Sequence, residues 1–376
     1  MTSEHEIEQI LNQFVVADNH RESDYFAAIR KLVAGRGRAA AAGERAVWQA
    51  AIDRVYTLVQ DEILTNTGRP RQDIKFGTSG WRGTLGKDLF IGSVATVTAA
   101  IRRRDREAEG NGVEREALGV ASFAEMCARG CVVGFDNRFG GPLLALAAVN
   151  VLVASGVKVF YAGESTTGAL SASVLVRRAA FSINLTPSHN PLEYGGFKYN
   201  AADAGPAAPV LTDTITRLSG DYLERDEVPC LPADLDLQRP LDSLPGIVRE
   251  DALASWQALV RQGADRHGLD YPGVTARLAE SREAVVCVDA VHGAARGYLR
   301  RLLADPPAER LILLRDNEDP TFGGIAPEPS STNMQPVMAA LAGRTEPLKL
   351  GAIIDPDGDR IRFTDGTVEI SMNQFG

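Results

Sequence analysis

The stretch FSINLTPSHNPLEYGGFKYN, residues 181–200, decides how this sequence folds. Its first six residues, FSINLT at 181–186, alternate apolar with polar side chains, which is typical of a strand. The segment TPSHNP at 186–191 then ends that strand in a turn bounded by two prolines, which fix the backbone on both sides of Ser188. The sequence therefore predicts a strand that leads into a stiff turn and presents the hydroxyl of Ser188.

A hydroxyl presented in this way suits a covalent phosphoryl acceptor. His189 and Lys198 lie close to Ser188 in sequence and can supply positive charge or accept a proton. A proline-bounded loop in which Ser188 and His189 are only solvated fits the same spacing, so the motif alone leaves both interpretations open.

Strands and helices alternate on both sides of this stretch. Before it, the pattern predicts strand 132–136, helix 142–156, strand 157–163 and the Ser/Thr-rich segment 165–178. After it, the pattern predicts helix 251–265, strand 284–290, helix 292–305, strand 310–316, helix 334–343 and strand 349–355. This alternation indicates α/β layered domains, in which active residues follow the carboxyl ends of strands. Residues 201–250, rich in Ala, Pro and Asp, are expected to be connection and loop.

The first 72 residues have a different texture. Helical apolar stripes run through 7–15 and 47–63, and GRGRAAAAGER at 35–45 between them is a loop or a helix start. We expect a packing extension rather than a site.

A second chemical motif is DPDGDR at 355–360, at the end of apolar LGAII. Asp355, Asp357 and Asp359 alternate, so in an extended or looped backbone they face one side and can converge on Mg²⁺. An EF-hand is excluded because its twelfth position would be Gly366 and its flanks are strands. A plain acidic turn is the alternative, although it would crowd like charges without a counter-ion.

A third motif is FGTSGWRG at 76–83. Its glycines allow backbone N–H groups to converge on an anion, and Arg82 offers a forked donor for phosphate. An ordinary glycine-rich turn fits equally well.

Composition limits the class of protein. The chain has 376 residues, a net charge of −9 and 44% hydrophobic residues, which excludes wholesale disorder and argues against a nucleic-acid or anionic-membrane partner. The longest apolar run, 143–154, is too short to span a bilayer, and no signal pattern opens the chain, so a cytoplasmic protein is expected. The oligomeric state is not indicated. The four cysteines are expected to be reduced and structural: Cys127, Cys131, Cys230 and Cys287.

Together, FGTSGWRG, TPSHNPLEYGGFKYN and DPDGDR resemble the motifs of the α-D-phosphohexomutase superfamily, most closely its bacterial phosphoglucomutase branch, in the family's order. The resemblance runs from about residue 74 to 376, and GPA at 205–207 is also similar to that branch. It implies tandem α/β/α layered domains with mixed sheets after a helical N-terminal extension. The expected boundaries are 1–72 for the extension, 73–212 for domain I, 213–368 for domain II and 369–376 for the start of domain III.

The resemblance also implies residue roles. Catalytic roles fall to Ser188, as a phosphoserine, and to Lys198, Arg82 and His189. Substrate or phosphate contacts fall to Thr78, Ser79, Asn190, Arg138, His292 and Arg360. One Mg²⁺ would be held by Ser188, Asp355, Asp357 and Asp359. Asp136 and Arg138 match the family's Asp-x-Arg loop. The implied reaction interconverts glucose 1-phosphate and glucose 6-phosphate through glucose 1,6-bisphosphate, with a sugar phosphate as the only implied partner.

The sequence also departs from the family pattern. It lacks the Gly-Glu-x-Ser-Gly sugar-binding loop after the metal loop and the phosphate-binding loop of a fourth domain. We therefore expect the chain as given to keep the phosphoserine and metal sites, to turn over slowly or not at all, and to expose an apolar surface where a third domain would dock. Alternatives are a phosphomannomutase or other phosphohexomutase, and a non-catalytic phosphoprotein or regulatory module that keeps the fold. A P-loop or dinucleotide enzyme is disfavoured because neither glycine motif is present.

Overall fold

The computed structural model describes residues 3–77, 80–108, 111–225, 245–304, 306–370 and 374. Cys230, and all of the predicted domain III start from 371 onward except Gln374, lie outside them. Helices long and apolar enough to cross a bilayer are absent from these ranges. Cys127, Cys131 and Cys287 are free thiols, and the latter two are buried.

The chain begins with three helices, α1 (Ser3–Phe14), α2 (Tyr25–Arg38) and α3 (Ala42–Thr65). The predicted helical extension is confirmed. The apolar pattern does not predict α2, whose last turn lies in the segment 35–45 that the sequence predicts to be a loop or a helix start. Asp24 caps α2 by accepting a hydrogen bond from the Ala27 amide. The buried faces of the three helices join a single hydrophobic core with the first sheet, so the extension is packed into that unit.

The first sheet has six strands in the order β1-β5-β4-β2-β3-β6. Its strands are β1 (Trp81–Thr84), β2 (Cys131–Phe135), β3 (Val159–Glu164), β4 (Phe181–Leu185), β5 (Tyr194–Asn200) and β6 (Ile247–Arg249). Four neighbouring strands run parallel to one another: β4, β2, β3 and β6. Strand β5 is antiparallel to both β4 and β1. The accompanying helices are α4 (Ile91–Glu107), α5 (Gly112–Leu118), α6 (Phe123–Arg129), α7 (Gly141–Ala154), α8 (Thr167–Arg177) and α9 (Pro209–Glu224).

The second sheet has five strands in the order β11-β10-β9-β7-β8. These are β7 (Ala284–Asp289), β8 (Leu311–Leu314), β9 (Leu348–Ile354), β10 (Ile361–Thr364) and β11 (Glu369–Ile370). The helices that follow β6 along the chain are α10 (Ala252–Gln262), α11 (Ala264–His267), α12 (Tyr271–Glu280), α13 (Leu299–Leu302) and α14 (Ser331–Ala342), with a 3₁₀ turn at Phe322–Gly324. Of these, α10 packs against α8 and the first sheet. Strands β8, β7 and β9 are parallel to one another. Strand β10 is antiparallel to β9, and β11 is antiparallel to β10.

The prediction of tandem layered α/β domains with mixed sheets is confirmed. Two local predictions are wrong. Residues 201–250 are not all loop, since they contain α9 and β6, and β6 extends the first sheet beside β3. The helix expected over 292–305 is confined to α13, because Val291 and His292 adopt left-handed backbone angles and the Ala294 amide bonds to the Pro356 carbonyl. The proposed domain boundaries stay predictions.

The packing of α2 against α3 yields a prediction. A Cβ atom added to Gly35 would lie 2.4 Å from the Trp48 ring, whereas a Cβ added to Gly37 on the same helix meets nothing within 4 Å. We expect Gly35→Ala to lower the free energy of unfolding by about 1–3 kcal/mol through overpacking. Gly37→Ala should raise it by up to about 1 kcal/mol through helix propensity. Denaturant unfolding of the two variants is the measurement, and equal effects would show that the Gly35–Trp48 contact is unimportant.

Candidate functional site

Ser188 lies in the turn between the parallel strand β4 and the antiparallel strand β5. It is buried and adopts a left-handed backbone angle, φ +61°, which is uncommon for a residue with a side chain. Its amide donates to the Thr186 hydroxyl at 2.9 Å. The backbone angle and this hydrogen bond therefore hold the turn in one conformation around Ser188.

Arg138 provides the largest set of contacts that hold this turn. Its buried guanidinium donates to the backbone carbonyls of Ser188 (2.8 Å), Asn190, Pro191 (2.5 Å) and Tyr194 (3.3 Å). The resemblance assigned Arg138 to phosphate, but in the structure its NH1 and NH2 groups are occupied by these carbonyls. Its observed contacts are those of a residue that positions the Ser188 turn.

Asp136 completes this support from the end of β2. It accepts hydrogen bonds from the Thr186 hydroxyl at 2.7 Å and from the Arg138 amide at 3.1 Å. Burial raises the pKa of Asp136 to about 6, although the Arg138 charge opposes that rise. The Asp-x-Arg pair thus braces the turn from the adjacent parallel strand.

The three aspartates follow β9 in the second sheet, and each offers one carboxylate oxygen in a group whose atoms all lie within 4.8 Å of one another. Asp355 Oδ1 accepts from the amides of Asp359 and Arg360 at 3.0 and 2.9 Å, which curls the loop around it. Gly358, at φ +70°, completes the curl beside Thr166, where a Cβ would approach Thr166 Cγ2 at 2.8 Å.

The two loops meet between the sheets. The Ser188 hydroxyl donates to Asp355 Oδ2 at 2.9 Å. Lys198, on β5, donates to Asp357 Oδ2 at 2.6 Å and to Asp359 Oδ2 at 2.8 Å. The structure therefore brings Ser188, Lys198 and the three aspartates together in one place, although they come from two sheets.

Burial and crowding set the electrostatics of this cluster. Burial, followed by the charges of Asp357 and Asp359, raises the pKa of Asp355 to about 8. For Asp357, burial opposes ionisation, but the Lys198 charge together with the hydrogen bonds from Lys198 and Thr167 outweighs it and lowers the pKa. Burial alone would lower the pKa of Lys198, but Asp357 and Asp359 raise it above its usual value, so Lys198 is an ammonium ion here.

The donor set fits a hard divalent cation. All three side chains are carboxylates, which Mg²⁺ prefers. Asp357 Oδ1 is buried and has no hydrogen-bond partner among the described residues, an arrangement that is costly unless something binds it. Asp355, Asp357 and Asp359 would hold the ion, with Ser188 beside them.

His189 and Arg360 extend the site toward solvent. Ser188 Oγ lies 3.3 Å from His189 Nδ1, and Arg360 NH1 lies 3.2 Å from His189 Nε2. Burial, then the positive charges of Arg360 and Arg82, lowers the pKa of His189. Arg82 lies on β1 opposite Gly196, and its Nε is buried without a partner within the described residues.

Other predicted site residues are placed differently. Thr78 and Ser79 lie outside the described residues. Asn190 is half-buried, and its Oδ1 has no partner in the described part of the chain. His292 is buried after β7, where its Nδ1 pairs with the Asn317 carbonyl at 2.9 Å. Within the described ranges no hydrogen bond joins the His292 side chain to Ser188, Lys198 or the aspartates.

Sequence reasoning missed Thr167, the first residue of α8. Its hydroxyl donates to Asp357 Oδ2 at 2.8 Å, its amide donates to the Asp357 carbonyl at 2.8 Å, and Asn184 donates to its hydroxyl at 3.0 Å. The signal was its place at the carboxyl end of a parallel strand, where a helix begins with its amides free. A cavity of about 160 Å³ opens beside these residues, and Lys198, Asp359, Asn200 and Ser171 are among those that line it.

Comparisons with known proteins agree with this architecture. Residues 95–225 match the family model for phosphoglucomutase/phosphomannomutase α/β/α domain I, and residues 271–368 match the model for domain II. Phosphoglucomutase-like protein 5 of Mus musculus is 30% identical over 250 residues, which are 62% of this chain and 42% of that protein. Phosphoglucomutase-1 of Bos taurus is 26% identical over 285 residues, 70% of this chain and 49% of that protein.

A solved structure shares the fold. A phosphoglucomutase/phosphomannomutase family protein from Burkholderia thailandensis aligns with a TM-score of 0.56 at 22% identity, covering 80% of this chain and 56% of that one. The chain spans about half the length of the curated relatives it matches.

The acidic cluster generates a testable prediction. Mg²⁺ at about a hundred times its dissociation constant should stabilise the protein by ~2.7 kcal/mol, because it binds only the folded cluster. Asp357→Asn should remove most of this effect by removing a ligand charge. Asp265→Asn, which changes the same charge on an exposed residue of α11, should leave it intact. Thermal unfolding with and without Mg²⁺ is the measurement, and an equal Mg²⁺ response in both variants would place the ion elsewhere.

Proposed function

Because this chain belongs to the phosphoglucomutase/phosphomannomutase family, we propose that it carries the phosphoserine and Mg²⁺ sites of a phosphohexomutase that interconverts glucose 1-phosphate and glucose 6-phosphate. The observation that supports this most is the 2.9 Å contact between the Ser188 hydroxyl and Asp355. It places a nucleophilic oxygen beside three converging carboxylates, where a phosphoryl group could be both accepted and neutralised.

The proposed reaction is a pair of phosphoryl transfers. In the first, the Oγ–P bond of phosphorylated Ser188 breaks, a bond forms from phosphorus to the free sugar hydroxyl, and the hydroxyl proton passes to Ser188 Oγ through a general acid/base. The product is glucose 1,6-bisphosphate. In the second, the other phosphoryl group returns to Ser188, and the released sugar oxygen takes the proton.

Lys198 is the proposed proton carrier. Its ammonium lies among the carboxylates and beside the cavity, so it can donate a proton to a departing sugar oxygen. His189, which lies beside Ser188 Oγ, and Arg360, which contacts His189, are proposed to contact the phosphoryl group. Arg82 has a buried, unpartnered Nε among the described residues, as an anion-binding arginine would before its ligand arrives.

When bound, Mg²⁺ would supply charge neutralisation for the transferring phosphoryl group. The protein's own residues orient the acceptor: Arg138 and Thr186 hold the Ser188 turn, and Thr167 holds Asp357. In-line positioning and charge neutralisation provide most of the rate in such transfers.

Preference for glucose over mannose or glucosamine phosphates rests on the resemblance of residues 186–207 to the phosphoglucomutase branch. The family models name both phosphoglucomutase and phosphomannomutase. Parallel assays with glucose and mannose 1-phosphates would test the preference, and faster exchange with the mannose ester would assign the chain to the second activity.

The expected docking surface for a third domain also stays a prediction. Leu348 and Leu350 alternate on one face of β9, with 64% and 41% of their surface exposed, and Val368 beside β11 is 59% exposed. β9 is the central strand of the second sheet, so Leu348 and Leu350 are exposed on a sheet face rather than at an edge, and we propose that these exposed apolar side chains belong to that surface.

Phosphoryl exchange at Ser188 gives the test of the proposed function. With Mg²⁺ and glucose 1,6-bisphosphate, the chain should gain one phosphoryl-sized mass increment that maps to Ser188, and glucose 1-phosphate should remove it. Ser188→Ala should gain none, while Ser281→Ala, a serine outside the site, should behave as the parent chain. An increment on Ser188 that no hexose phosphate removes would favour a non-catalytic phosphoprotein, and a folded chain with no increment would refute the proposal.

A further inference from the structure

Helix α2 contacts two loops that the candidate site depends on, and nothing in the family models, which begin at residue 95, assigns it a role. Three side chains spaced three residues apart, Arg30, Val33 and Arg36, make these contacts. Residues at this spacing lie close together on one side of a helix. One face of α2 therefore serves both loops.

The first loop is the connection from Ser188 to β5. Arg30 NH1 pairs with Glu193 Oε1 at 2.8 Å, and Glu193 lies five residues after Ser188. Arg138 bonds to the carbonyls of Pro191 and Tyr194 on either side of Glu193. The segment 188–194 is thus held by Arg138 on one side and by α2 on the other.

The second loop is the turn 319–324 of the second-sheet unit. Arg36 NH2 donates to Thr321 Oγ1 at 2.9 Å and lies 3.4 Å from Asp319 Oδ2. Asp319 in turn accepts from the amides of Thr321 and Gly323 at 2.8 and 3.1 Å, so it organises the turn that Arg36 contacts.

Close packing accompanies these polar contacts. A Cβ at Gly324, where φ is +85°, would lie 2.8 Å from Val33 Cγ1, so the backbone of the turn packs directly against the Val33 side chain and a larger residue would be strained there. The Tyr56 hydroxyl of α3 lies 3.4 Å from the Pro320 carbonyl. The turn is seated on both α2 and α3.

The two loops also contact each other. Phe322, fully buried in the turn, lies under the Arg138 guanidinium, with 4.9 Å from Arg138 Cζ to the ring centroid. The contacts therefore form a closed ring: α2 to Glu193, the Ser188 loop to Arg138, Arg138 to Phe322, and the turn back to α2 through Arg36.

From this ring we propose that α2 fixes the position of the Ser188 turn relative to the second sheet, with Arg30 and Arg36 as positioning residues. Neither residue touches the reacting atoms. They act through Glu193, Phe322 and Arg138 on the separation of Ser188 from Asp355. The expected effect of these residues on the reaction rate rests on the proposed phosphoryl transfer. Their expected effect on the order of the two loops does not depend on it.

The test compares Arg36→Met with Arg38→Met. Arg38 lies on the same helix, but within the described ranges its side chain pairs only with Glu6, at the surface, so its variant is the matched control. Backbone hydrogen exchange is read in two segments, 319–325, which Arg36 contacts, and 188–194, which it does not. We expect Arg36→Met to speed exchange in both segments, Arg36→Lys to restore part of the protection by keeping the charge, and Arg38→Met to change neither.

Phosphorylation kinetics of Ser188 supply the second readout. Arg36→Met should slow the maximal rate by about 2- to 30-fold, the range of coupling through packed networks, with a smaller change in the donor concentration at half-maximal rate. Exchange that rises only in 319–325, with an unchanged rate, would reduce Arg36 to a local structural role and overturn the proposal. If Arg36→Met fails to fold, Arg30→Met gives the equivalent test. Arg30 contacts the segment 188–194, so faster exchange in 319–325, which Arg30 does not contact, is the expected remote effect. A parent chain that is never phosphorylated would refute the proposed function. The hydrogen-exchange test of the positioning role of α2 would remain valid in that case.

Discussion

Mutual repulsion among three carboxylates is the constraint around which this structure is arranged. Oxygens of Asp355, Asp357 and Asp359 converge within 4.8 Å, and two of these residues are fully buried. Like charges at such a distance in a poorly solvated place are strongly unfavourable unless positive charge or hydrogen-bond donors offset them. The offsetting groups are Lys198, Thr167, Ser188 and the backbone amides of Asp359 and Arg360.

Most of these partners come from the other sheet. Lys198 lies on β5, Ser188 follows β4 and Thr167 begins α8, whereas the carboxylates follow β9. The acidic cluster therefore attracts one layered unit to the other, and the same contacts that relieve its repulsion place a hydroxyl beside it. Interdomain attachment and the candidate chemistry share one set of atoms, so a change in either alters both.

The sequence was most informative where local chemistry and strand ends coincide. The placement of Ser188 and the aspartate trio followed from apolar strands that end in proline-bounded or acidic turns, because parallel strands present their carboxyl ends on one side.

The sequence was least informative where packing between distant residues decides the structure. The segment 35–45 fits a loop or a helix start, yet its first residues belong to α2, where the absence of a side chain at Gly35 makes room for Trp48 of α3. The sequence pattern predicts a helix over 292–305, yet Val291 and His292 turn the chain so that the Ala294 amide bonds to the Pro356 carbonyl. Arg138 could be identified as functional but not as a holder of carbonyls, since its partners come from residues 50 or more positions away.

The N-terminal helices change how the site should be understood. Burial of Ile29, Leu32, Trp48, Val55 and Ile63 joins them to the core beneath the first sheet, and that burial fixes the backbone of α2 more firmly than its polar contacts could. A rigid helix can hold the two loops it contacts at a fixed separation. Two arginine ion pairs on a mobile segment could not, because exposed ion pairs contribute little stability on their own. Arg36 and Asp319 are only 20% and 16% exposed, whereas Arg30 is 48% exposed, so the Arg36 contact is the stronger of the two polar contacts that α2 makes with these loops. The energy that orders the Ser188 turn thus originates partly in apolar packing outside the two family-model regions, and the extension belongs to the same mechanical unit as the site.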